Sequence, residues 1–101
     1  MTERKLEPPT IVTYSKDRLE DLASMLRIAG RLIGTTRKGL EGESWWYVYD
    51  GKVWHVPDNN GQLSVQVYDY FDFCDRLRRE RDNDDDLLPP FRPAPDFHLG
   101  H

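Results

Sequence analysis

The segment from Trp45 to Val56 reads WWYVYDGKVWHV. Its centre, Asp50-Gly51, favours a two-residue turn of type I′, because both central positions need positive φ. The flanking residues are aromatic and β-branched, the side chains that suit a pleated strand. A hairpin follows, with Tyr49 facing Lys52, Val48 facing Val53, Tyr47 facing Trp54 and Trp46 facing His55. One face then carries Trp45, Tyr47, Tyr49, Lys52, Trp54 and Val56. The other carries Trp46, Val48, Val53 and His55.

Working toward the C-terminus, Pro57 to Gly61 is a turn by composition. Gln62 to Tyr68 alternates, with Leu63, Val65 and Val67 on one side and Ser64, Gln66 and Tyr68 on the other. This strand completes a three-stranded meander. Asp69 can cap a helix from Tyr70 to about Arg81, whose inner stripe is Tyr70, Phe73, Cys74 and Leu77, with Phe71 at its margin. Asn83 to Asp86 is acidic and ends it. Leu87 to His101 holds four of the seven prolines, which rules out regular helix or central strand. Leu87, Leu88, Phe91, Phe97 and Leu99 make this tail too apolar for an inert linker, so residues 87–99 are expected to dock on this domain or on a partner.

Working toward the N-terminus, Leu19, Leu22, Leu26, Ala29 and Ile33 recur at spacings of three and four. This predicts an amphipathic helix over residues 16–33, capped by Ser15 and closed by Gly34. Thr35 to Ser44 reads as a loop and Thr10 to Tyr14 as a short strand. The expected fold is α+β: a small antiparallel sheet packed against two helices, order (β)-α-β-β-β-α, with both helices on one side of the sheet. Residues 1–9 form an N-terminal arm, 10–82 one domain, and 83–101 an acidic, Pro-rich tail.

A chain of 101 residues is read as one domain. The formal charge is −4, but Arg27 to Leu40 holds Arg27, Arg31, Arg37 and Lys38 and no acid. One cysteine, Cys74, excludes an intramolecular disulfide and fits a reducing compartment. No apolar run approaches the roughly 20 residues of a membrane span. The opening residues lack a secretory apolar core. A cytoplasmic protein without a membrane partner is expected.

Catalytic chemistry finds no motif. His55, Cys74, His98 and His101 have no zinc spacing, and Cys74 falls on a helix's inner stripe, where a thiol acts as a small hydrophobe. Asp84, Asp85 and Asp86 lack the glycine and terminal glutamate of a calcium loop. Gly30 and Gly34 do not belong to a phosphate loop. No catalytic residue, metal or cofactor is therefore assigned, and the chain is expected not to be an enzyme.

Two binding readings remain. In the first, the chain is an interaction module, an inhibitor or adaptor that docks on a larger protein or protein–nucleic-acid complex. Such a protein suits a phage or mobile element. Its contact residues would be Trp45, Tyr47, Tyr49 and Trp54, with Asp84, Asp85 and Asp86 imitating a phosphate backbone and Phe91 and Phe97 inserting from the tail. In the second, the aromatic face stacks single-stranded nucleic acid while Arg27, Arg31, Arg37, Lys38 and Lys52 hold phosphates. Both turn on whether the aromatic face is exposed or is the core under the first helix. Assembly is expected to stop at a monomer or homodimer.

Overall fold

The computed structural model describes residues 6–37, 42–57, 63–83 and 88–97. Its elements are β1 (Thr10–Thr13), α1 (Lys16–Ala29), β2 (Arg31–Arg37), β3 (Glu43–Tyr49), β4 (Lys52–Val56), β5 (Ser64–Asp69), α2 (Tyr70–Asn83) and β6 (Arg92–Pro93). All strands join one antiparallel sheet in the order β1-β5-β4-β3-β2-β6. The α+β class and the small sheet packed against two helices are as the sequence predicts.

The hairpin has the predicted register, with Tyr49 opposite Lys52, Val48 opposite Val53, Tyr47 opposite Trp54 and Trp46 opposite His55. Asp50 and Gly51 adopt φ of 54° and 71°, as a type I′ turn requires. The Tyr70 amide donates to the Gly51 carbonyl at 3.2 Å, which fixes the start of α2 beside this turn. Asp69 caps α2 through one carboxylate oxygen, which accepts from the amides of Phe71 and Asp72 at 3.0 and 3.2 Å.

The first helix is shorter than its periodicity suggests. It ends at Ala29, and the Gly30 amide closes the last turn on the Leu26 carbonyl at 2.9 Å. A side chain at position 30 would reach within 2.7 Å of that carbonyl and 3.2 Å of the Val48 carbonyl, so the helix stops where it meets β3. Residues 31–37, expected as helix end and loop, are instead strand β2. Thr35 and Thr36 are β-branched and pair with Trp45 and Ser44 of β3, while β-branched Ile33 sits at a register shift between Leu32 and Gly34 and is buried. The spacing of Ile33 from Leu26 and Ala29 suits a helix only by coincidence.

The helices lie on opposite faces of the sheet, not on one side. Under α1, Leu19 and Leu26 pack with Tyr47, Val56 and Val65, joined by half-buried Trp45, Tyr49, Trp54 and Val67. Under α2 and the tail, Phe73 and Leu88 pack with Ile33, Trp46, Val53 and Tyr68. The register of β5 decides this division. Trp54 pairs with Val67 and Val53 with Tyr68, so Val65 and Val67 join the aromatic face rather than the Trp46 face. Each face thus has its own apolar layer, which a sheet covered on both sides requires.

The tail is the second cover of the Trp46 face. Leu88 is buried, and Phe91 meets Trp46 and Phe73 edge-on at 5.4 and 5.3 Å. Its prolines are compatible with the sheet because β6 is a two-residue edge strand, pairing Arg92 with Thr35 and Pro93 with Gly34.

Candidate functional site

The predicted contact residues divide between the faces. Tyr47 is buried, and Trp45, Tyr49 and Trp54 are half-buried beneath α1. Burial pushes the Tyr47 hydroxyl above its ordinary pKa, opposed by the nearby Arg27 guanidinium. The aromatic face is therefore mainly core beneath α1, and it does not form the broad exposed platform that stacking along a strand of nucleic acid needs. Phe91 and Phe97 pack together and against their own domain. Asp84, Asp85, Asp86 and Lys38 lie outside the described residues, as do Leu87, His98, Leu99 and His101.

The basic segment is not one surface. Arg27 is on α1, over the aromatic face. Arg31 starts β2 and donates to the Asp96 carbonyl of the tail, on the opposite face, at 3.1 Å. Arg37 is exposed at the far end of β2, and Lys52 is exposed at the start of β4. The strand break after Gly30 is what separates Arg27 from the other two arginines.

One cluster of chemical groups escaped the sequence reading. On the Trp46 face, Ser44 Oγ lies 2.7 Å from His55 Nε2, and His55 Nδ1 lies 3.1 Å from Gln66 Oε1. The Gln66 oxygen only accepts, so Nδ1 carries the proton and Nε2 accepts from the Ser44 hydroxyl. Burial pushes the imidazole pKa down, against a smaller upward pull from Gln66. A hydroxyl held on a neutral imidazole, itself oriented by a third group, is the geometry of an activated nucleophile. Here the network closes on itself. Tyr68 also donates to Gln66, and the His55 ring lies flat on Trp46 at 3.8 Å and 7°. Trp46 Nε1 donates to Thr36 Oγ1 at 2.8 Å, and that hydroxyl donates to the Pro90 carbonyl. The set pairs buried polar atoms beneath the tail. The signal that could have found it is the β5 register, which puts Gln66 beside His55.

Cys74 is buried on the inner side of α2, where burial raises its thiol pKa. A thiol held protonated in this way is a poor nucleophile. Among the described residues no group of three or more His, Cys, Asp or Glu could hold a metal ion. No helix among them is long and apolar enough to cross a membrane.

The two sheet edges are treated differently. The β2 edge is covered by β6 and its proline. Among the described residues no further strand pairs with the outer side of β1. The Tyr14 amide donates to the Leu63 carbonyl at 3.0 Å, continuing the β1–β5 register. Backbone groups alternate in direction along a strand. Thr10, Val12 and Tyr14 therefore turn theirs toward β5, and Ile11 and Thr13 turn theirs outward. The strand reads TIVT, without charge or proline, and the Ile11 side chain is 61% exposed. An uncharged edge with outward donors and acceptors is a template for another strand. Sequence reading found this strand but not its place at the edge, which depends on pairing with β5, more than 50 residues away.

Comparison of the chain with protein-family models, with curated proteins and with solved structures gave no match to any of them.

Proposed function

We propose that this chain is a protein-interaction module that binds an extended segment of a larger protein as an added strand along β1. The observation that carries this reading is the β1 edge, unpaired on its outer side among the described residues, with the Ile11 and Thr13 backbone groups outward and Ile11 largely in solvent. Main-chain hydrogen bonds would give such a complex its affinity, and contacts with Ile11 its selectivity. An inhibitor or adaptor acts through docking of this kind, without turnover. A four-residue edge is small. Its bonds contribute about 0.5–1.5 kcal/mol each, so an isolated peptide should bind no more tightly than about micromolar.

The test is selection of binders from a displayed library of random peptides, using the intact chain as bait. Ile11→Pro removes one outward donor without touching a bond to β5, so the fold should persist. Selected peptides should lose at least tenfold in affinity for this variant at unchanged melting temperature. Their binding should also slow amide exchange at Ile11 and Thr13. Peptides indifferent to Ile11→Pro would refute the reading, and self-association abolished by the same variant would make the added strand a second copy. Binding of single-stranded oligonucleotides that falls steeply with added salt would favour the nucleic-acid reading instead.

A further inference from the structure

The inward stripe of α1 is interrupted by a small residue. Leu19 and Leu26 are buried against the sheet, and Ala23 between them is too short to fill the same depth. A cleft of 460 Å³ opens there. Trp45, Tyr47 and Val56 form its floor, and Leu19, Ala23 and Arg27 form its wall. This volume lies within the range of small-molecule sites, which are mostly apolar with a few polar groups that set orientation.

Arg27 supplies the polar end. Its guanidinium donates to Ser24 Oγ at 3.2 Å. It forms no ion pair among the described residues. Glu20, also on the wall, lies seven residues earlier on the helix, about 10 Å along its axis. The cleft therefore presents an aromatic floor with one uncompensated cation at the Tyr47 end. An arginine fork matches a carboxylate in two parallel hydrogen bonds.

We propose that this cleft binds a small aromatic carboxylate, with its ring over Trp45 beside Ala23 and its carboxylate on the Arg27 guanidinium. The site is distinct from the β1 edge, and neither reading depends on the other.

The experiment is an amide NMR titration of the intact chain with 2-naphthoate and, in parallel, with the uncharged 2-naphthamide. The naphthoate should bind saturably, with the largest shifts at Ala23, Arg27, Trp45 and Tyr47, and more tightly than the amide. Arg27→Gln removes an exposed charge from the helix surface and should leave the melting temperature unchanged. It should weaken the naphthoate about tenfold and leave the amide as it was. Ala23→Phe should fill the cleft and abolish both. Ile11→Pro should alter neither. Absence of saturable shifts, shifts centred elsewhere, or equal effects of Arg27→Gln on both compounds would overturn the proposal. Arg27→Gln keeps it falsifiable if Ala23→Phe fails to fold.

Discussion

Gly34→Ala tests whether the tail is a structural layer, because the sign of its effect depends on the tail. On an open strand, replacing glycine by alanine stabilises by about 0.4–1 kcal/mol, through the unfolded chain. Here a methyl at position 34 would lie 2.4 and 2.5 Å from two ring carbons of Phe91 and 2.7 Å from the Arg92 carbonyl oxygen. Ordinary contact requires a separation roughly 1 Å greater, so Phe91 and β6 must move off the sheet. Removing a fully buried phenylalanine costs about 3–5 kcal/mol. Phe91 is half-buried, which brings its share to about 2 kcal/mol. Net of the glycine effect, Gly34→Ala should destabilise by about 1–2 kcal/mol. For a domain of this size that lowers the melting temperature by roughly 4–16 °C. The assay is urea unfolding followed by tryptophan fluorescence, in a cycle with Phe91→Ala. With the ring already gone, Gly34→Ala should cost at least about 1 kcal/mol less. A Gly34→Ala variant more stable than the parent, or additive with Phe91→Ala, would refute a docked tail.

Two further outcomes follow from the sheet itself. His55 has a lowered pKa in the fold against about 6.5 in the unfolded chain. The unfolded state therefore takes up the proton first as pH falls. The stability that His55 contributes is complete above about pH 6.5 and is lost progressively below it. Urea midpoints at pH 7.5 and 5.5 should show this loss, and His55→Asn should reduce it; an equal loss in both proteins would assign it elsewhere. Gly51→Val forces a β-branched residue to φ 71° and should cost about 1–3 kcal/mol in thermal unfolding, with a cost under about 0.5 kcal/mol excluding the type I′ turn.

What the sequence disclosed was local. The hairpin register, the Asp69 cap and the inner stripe of α2 depend on residues within a turn or two of one another, so alternation and capping chemistry suffice to read them. The errors arose where partners are distant or punctuation is missing. Only Gly30 stands between α1 and β2, and no loop marks the change from a 3.6-residue to a two-residue period. Arg31 to Arg37 is a strand because β3 pairs with it, which no local signal reports. The turn before β5 leaves its register open, and that register alone decides whether Gln66 or Val67 shares a face with His55. The polar network and the composition of both apolar layers thus hang on one pairing, Trp54 with Val67.

The same pairing redirects the search for a binding surface. A sheet covered by α1 on one face and by α2 with the tail on the other presents neither face as a continuous open surface. The aromatic residues that looked like a stacking platform contribute burial, at roughly 25 cal/mol per Å² of apolar surface removed from water. Two features that the covering layers leave accessible are the edge at β1 and the gap at Ala23. These features differ in chemistry. The edge offers main-chain hydrogen bonds that any extended chain can satisfy, and the gap offers an aromatic floor with a single cation. At these two places Ile11 supplies an exposed apolar contact and Arg27 a cation, the groups on which the two proposed binding roles depend.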